Sequence, residues 1–123
     1  MTETFKTFEN EQITQKIVEG IQEKKGKNIV VLNMNKLKDP PCKFFVICEG
    51  DSNVHVNAIA LSIKDYVNDQ LEIKPISAIG FDNSEWIAMD YGQIIVHVFQ
   101  PELRKFYDIE QLWADAELQK IEE

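Results

Sequence analysis

The sequence predicts a single α/β domain with a mixed, mostly five-stranded sheet flanked by helices, on three observations. A chain of 123 residues is long enough for one hydrophobic core but not for two. Helical stripes and short β-branched runs follow one another in the order α-β-β-α-β-β-β-α, the mark of helices packed on a sheet. Residues 85–99, "EWIAMDYGQIIVHVF", hold two apolar runs without the polar alternation of a strand that has one wet face, so this strand pair needs cover on both sides.

Each element follows from local chemistry. Residues 1–9 lack a pattern and are expected to form a flexible N-terminus. From Asn10, the residues Ile13, Ile17, Val18 and Ile21 recur at helical spacing, and Gly26 after Lys24 and Lys25 is a suitable stop. "NIVVLNM" suits a buried strand, and Pro40 and Pro41 then break the chain. "KFFVICEG" is a second apolar strand ending in a turn, where Asp51, Ser52 or Asn53 can cap the next helix. In that helix, spanning residues 53–71, Val56, Ala60, Ile63, Val67 and Leu71 form one stripe opposite Lys64, Asp65, Asn68 and Asp69. "IKPISAIGF" reads as a third strand, placed at an edge because Pro75 interrupts its start. After the hairpin and Pro101, the residues Leu103, Phe106, Tyr107, Ile109, Leu112 and Trp113 suit one or two short helices. Residues 10–115 thus form the domain, and residues 116–123 a charged tail, helical or frayed.

Charge and cysteine usage exclude several functions. A formal charge of −8 argues against nucleic acid as the main contact and for a basic protein as the dock. No apolar run approaches the roughly 20 residues that span a bilayer, and no leader pattern opens the chain, so a cytoplasmic protein is expected. Cys42 and Cys48 lie on or beside one strand, without a metal-type spacing, and read as buried thiols. No cofactor or metal is expected.

The hairpin raises the question of what its second face meets. A three-residue loop, Asp90-Tyr91-Gly92, with Gly92 in the left-handed region, avoids positive φ at a bulky tyrosine. That loop places Trp86 and Ala88 on one face with Ile94, Val96 and Val98, and Ile87 and Met89 on the other with Ile95, His97 and Phe99. Both faces are then core, except that Trp86 and Tyr91 near the hairpin ends are candidates to remain exposed for a partner, with Asp82, Glu85 and Asp90 beside them.

The search for an active site ends at "CEGDSNVH". A strand running into Gly50-Asp51-Ser52 and a helix resembles the turn by which nucleotidyltransferases hold triphosphate, but no Asp-x-Asp or Asp-x-Glu strand supplies the metal-binding carboxylates. Helix capping explains Asp51 and Ser52, and a Ser52-His55 dyad yields to the same explanation. His97, among aliphatic strand residues, reads as a partly buried imidazole with its hydrogen bonding satisfied. The five glycines are scattered and form no phosphate loop.

The stretch "WIAMDYGQIIVHVFQPELRKFYDIEQLWADA" resembles the signature of the Iojap/RsfS family of ribosomal silencing factors, through Trp86, Asp90, Gly92, Val96, His97, Arg104, Tyr107, Ile109, Glu110, Leu112 and Trp113. "FFVICEGDSNVHVNAIA" is similar to the family's strand, turn and helix, through Phe45, Gly50, Ser52, His55, Val56, Ile59 and Ala60. The likeness covers residues 11–115, with departures at Lys43 and Ile79, where the family often has acidic residues. The resemblance implies a nucleotidyltransferase-like fold without the catalytic carboxylates, and a translational repressor rather than an enzyme. It further implies binding to the large ribosomal subunit through that subunit's fourteenth ribosomal protein, a basic protein, so that the small subunit cannot join. On this reading Trp86 and Tyr91 are apolar anchors, Gly92 belongs to the contact, and Asp82, Glu85 and Asp90 face basic residues. Arg104, Tyr107, Glu110 and Trp113 are expected to close the core instead. The alternatives are a nucleotide-binding or nucleotidyl-transferring enzyme using Gly50, Asp51 and Ser52, and a weak homodimer paired through a sheet edge.

Overall fold

The structure, a computed structural model, describes residues 8–122; the expected flexible start at residues 1–7 lies outside them. Helix α1 (Asn10–Glu23) leads into strands β1 (Lys27–Asn33) and β2 (Phe44–Glu49), then the long helix α2 (Asn53–Leu71). Strands β3 (Ser77–Ile79), β4 (Trp86–Asp90) and β5 (Ile94–Phe99) follow, then the short α3 (Pro101–Tyr107), the single-turn α4 (Ile109–Leu112) and β6 (Glu117–Lys120).

The sheet has six strands in the order β3-β4-β5-β2-β1-β6. Its centre is the parallel pair β2–β5, and every other neighbour is antiparallel. All six residues of β2 are buried, as a central strand covered on both faces requires. The sixth strand comes from the charged tail that was expected to be helical or frayed. Its side chains are all exposed, so no apolar periodicity marks it. What holds it is the free edge of β1, with Val30 opposite Lys120 and Asn33 opposite Glu117.

Helices α1 and α2 lie together on one face of the sheet. Beneath them pack Val31, Val46, Val96, Val98, Ile87 and Met89 with Ile17, Ile21, Ile59 and Ile63. The helices approach closely because Gly20 has no side chain: a Cβ there would stand 3.0 Å from the Ile63 Cα and 3.3 Å from the Tyr66 Cβ. Gly20→Ala is expected to push the helices apart and lower the unfolding free energy by about 1–2 kcal/mol. A urea titration checks this, and an unchanged midpoint would show that the contact yields freely.

Helix ends use local chemistry. The Glu9 backbone N–H donates to Gln12 Oε1 (2.9 Å) at the start of α1. The left-handed residue after α1 is Lys25 (φ 57°), one position before the expected Gly26. At α2, Ser52 Oγ accepts from the His55 N–H (3.1 Å).

The hairpin register differs from the expected one by three residues, since a loop at residues 90–92 would set Trp86 opposite Val96. Trp86 pairs with Phe99, Ala88 with His97 and Asp90 with Ile95, because Tyr91 continues the strand and its N–H donates to the Ile94 carbonyl (2.8 Å). The turn is the two-residue Gly92-Gln93, with positive φ (94°) at Gly92 alone, the pattern of a type II′ turn. Such a turn never asks Tyr91 for positive φ, which removes the objection that favoured a three-residue loop. A slip by an odd number of residues exchanges the faces of an entire strand. Ile87 and Met89 therefore share the helix-covered face with Val96 and Val98, and Trp86 and Ala88 share the other with His97 and Phe99.

Candidate functional site

The second face of the sheet has lighter cover. Val30, Leu32, Phe45, Ile47 and Phe99 form its core, roofed by residues of α3, α4 and the chain near Met34 and Cys42. Neither α3 nor α4 has a buried residue. These short helices stay in place through charge: Arg104 donates from Nε (3.3 Å) and Nη2 (2.9 Å) to the two carboxylate oxygens of Glu110. Its Nη1 donates to the Asn28 carbonyl (2.7 Å) and lies 3.9 Å from Glu49. Trp113 meets Phe45 edge-on at 6.1 Å. Arg104, Glu110 and Trp113 thus close the core in the way the sequence suggests, whereas Tyr107, expected in the same group, is 50% exposed and packs against Trp86 instead.

Trp86 sits at the end of β4 on this face, half-buried. Its indole stacks on Phe99 (4.9 Å between centroids, 26° between planes) and lies tilted against Tyr107 (4.8 Å, 44°). Its Nε1–H donates to His97 Nδ1 (3.1 Å). That bond leaves the imidazole proton on Nε2, which is buried and has no hydrogen-bond partner among the described residues. His97 is thus buried as expected, but only half satisfied. Burial pushes its pKa from the ordinary 6.5 down to about 4, so the ring is neutral near pH 7.

Around Trp86 the surface is apolar and acidic. Asp82 and Glu85 are exposed in the turn before β4. That turn is tied down: Asn57 Nδ2 donates to Ser84 Oγ (3.2 Å), and the Gln100 N–H to the Glu85 carbonyl (2.9 Å). On α3, Phe106 is 77% exposed and Tyr107 50%, and Ile79 at the sheet edge is 68% exposed. Ile79 stands opposite Ala88, which stands opposite His97, so one cross-strand row leads from the buried imidazole to the open edge.

The structure joins only part of the expected site. Asp82, Glu85 and Trp86 cluster at one end of β4. Asp90 and Gly92 lie at its other end, roughly 13 Å away by strand rise, where Asp90 Oδ1 accepts from the Gly92 N–H (2.7 Å). Tyr91 does not stand out as an exposed anchor: its ring packs into the helix-covered core and its hydroxyl is buried without a partner among the described residues. The corrected register is the cause, because it turns Tyr91 to the side of Met89. Phe106, Tyr107, His97 and Phe99 complete the cluster around Trp86.

The Gly50-Asp51-Ser52 turn has structural employment. Besides the Ser52 cap, Asp51 pairs with Lys27 (3.1 Å), and its N–H donates to His55 Nδ1 (2.9 Å). His55 Nε2 then donates to the Lys24 carbonyl (2.8 Å), joining the start of α2 to the end of α1. The imidazole is thus turned to backbone groups and not to the Ser52 hydroxyl.

Comparison with known proteins places the chain in a family. A family model described as "Ribosomal silencing factor during starvation" matches residues 7–123. The ribosomal silencing factor RsfS of Halalkalibacterium halodurans is 35% identical over 114 residues, 92% of this chain and 95% of its own. RsfS of Bacillus subtilis is 35% identical over 101 residues, 81% of this chain and 83% of its own. A crystal structure of a Chromobacterium violaceum protein, 32% identical, superposes with a TM-score of 0.81 over 87% of this chain and 88% of that one. By fold, by motif and by a match along nearly its whole length, the chain belongs to the RsfS family of ribosomal silencing factors, which are regulators of translation and not enzymes.

Proposed function

We propose that this silencing factor acts in the cytoplasm by binding the large ribosomal subunit through its fourteenth ribosomal protein, and that it blocks small-subunit joining sterically. The observation that carries this reading is the Trp86 cluster. An indole edge stands beside exposed Phe106 and Tyr107, with Asp82 and Glu85 on the rim, on the face that α1 and α2 leave open. Aromatic anchors ringed by carboxylates suit a basic protein surface, and the overall charge of −8 favours such a partner. Asp90 and Gly92 extend the contact along β4 if the partner covers the whole strand, while Tyr91 supports it from beneath.

Truncating a buried interface aromatic costs about 2 kcal/mol, or roughly thirtyfold in affinity. Trp86→Ala is therefore expected to lose co-sedimentation with purified large subunits and to restore subunit joining in a light-scattering assay. A folded Trp86→Ala protein that still sediments with the large subunit would remove this face from the contact. Full binding with undiminished subunit joining would reject the steric mechanism alone.

A further inference from the structure

We propose that His97 is a positioning residue of the docking face: its Nδ1 holds the Trp86 indole, through Nε1–H, in the one orientation that the partner receives. The inference rests on the proposed function above and adds a residue that does not itself touch the partner.

Besides the His97 ring itself, at 5.8 Å, the Trp86 indole meets Phe99 at 4.9 Å and Tyr107 at 4.8 Å. Ring stacking fixes a plane, but a stacked indole still has freedom to slide or to turn over within it. A hydrogen bond from Nε1–H to a fixed acceptor removes that freedom, because only one of the two turned-over states brings the donor to His97. Its acceptor is well anchored. His97 lies on β5 between β4 and β2, opposite Ala88 and Ile47, and its ring meets Phe45 at 5.1 Å and Phe99 at 6.0 Å. An indole held before the encounter loses less entropy on binding.

The unused half of the imidazole points the same way. A neutral histidine with Nδ1 accepting must carry its proton on Nε2, and that N–H is buried without a partner among the described residues. Leaving a buried donor unsatisfied is unfavourable. Packing alone is better served here by an aliphatic residue, as at Val96 and Val98 on the same strand. Burial also keeps the ring neutral near pH 7, so that Nδ1 is available to accept.

The test combines a spectroscopic readout with binding. The chain has two tryptophans, so a ¹⁵N-labelled sample gives two indole Nε1–H resonances, and Trp86→Ala identifies the one from Trp86. His97→Leu, which removes the acceptor and the unsatisfied donor together, is expected to fold, to move the Trp86 indole resonance, and to weaken co-sedimentation with large subunits about tenfold. His97→Asn places an amide oxygen near the position of Nδ1 and is expected to recover both readouts in the folded fraction. If Trp86→Ala weakens binding but His97→Leu binds as wild type, the positioning role is overturned and the docking face stands. The positioning role is equally overturned if the indole resonance stays in place, or if His97→Asn recovers neither readout. If Trp86→Ala itself has no effect on binding, both readings are overturned.

Discussion

Arg104→Met is expected to lower the unfolding free energy by about 3 kcal/mol, the usual cost of removing one partner from a buried ion pair. The Arg104 side chain is 11% exposed, Glu49 12% and Glu110 25%. Methionine fills much of the same volume, so the loss is that of charge and hydrogen bonds. Three donors disappear, two directed to Glu110 and one to the Asn28 carbonyl, and they are what fastens α3 and α4 to the start of β1. The Glu49 carboxylate would keep the Asn28 amide, at 3.1 and 3.2 Å, but lose the cation beside it. Removing that second charge as well, in Arg104→Met/Glu49→Gln, is expected to recover part of the loss, because an uncompensated buried charge costs more than its absence. Urea midpoints for the two variants measure both effects. A loss below about 1 kcal/mol in the single variant would show that the guanidinium is effectively solvated and the roof is held by packing. Because Tyr107 rides on α3 and packs at a tilt against Trp86, the single variant is also expected to loosen the proposed docking face.

That coupling shows where sequence reasoning reaches and where it stops. Helix α2 was legible from end to end because a run of capping residues, Asp51, Ser52 and Asn53, and a clean apolar stripe both announce it. The edge position of β3 followed from Pro75. Trp86, Asp82 and Glu85 were legible as a rim of aromatic and acidic residues, and Arg104, Glu110 and Trp113 as a closing group. Strand β6 was not, because "ELQK" has no apolar face: its hydrogen bonds come from the edge of β1, which no local pattern encodes.

The hairpin is the instructive failure. Whether Tyr91 belongs to the loop or to the strand depends on a single residue's backbone conformation, yet that choice decides which side chains meet. With a three-residue loop, Trp86 and His97 fall on opposite faces and cannot touch. With the two-residue turn at Gly92-Gln93, they fall on the same face, one cross-strand row apart, and are hydrogen-bonded. The indole–imidazole contact was therefore beyond the reach of composition or spacing, although both residues were in plain view.

The same imidazole leads to the second large effect, acid destabilisation in a window set by His97 rather than by carboxylates. Its folded pKa is lowered to about 4 from the ordinary 6.5, so between these values the unfolded chain binds more protons than the folded one. Stability is therefore unaffected well above pH 6.5, falls as pH drops through 6.5, and stops falling from this cause below about 4. The loss is expected to reach roughly 2–3 kcal/mol near pH 4.5. On this face β4 presents Trp86, Ala88 and, one row further, Asp90, and β2 presents Phe45, Ile47 and Glu49; neither carboxylate offsets the burial that lowers the ring's pKa. Protonation would also set an Nδ1–H against the Trp86 Nε1–H, donor against donor, in place of the present bond. Urea unfolding at pH 7 and near pH 4.5 measures the loss, and His97→Leu isolates it, since that variant should be far less sensitive over the interval. An equal fall in both proteins would assign the acid lability to other groups and would mean that His97 is hydrated or paired in solution.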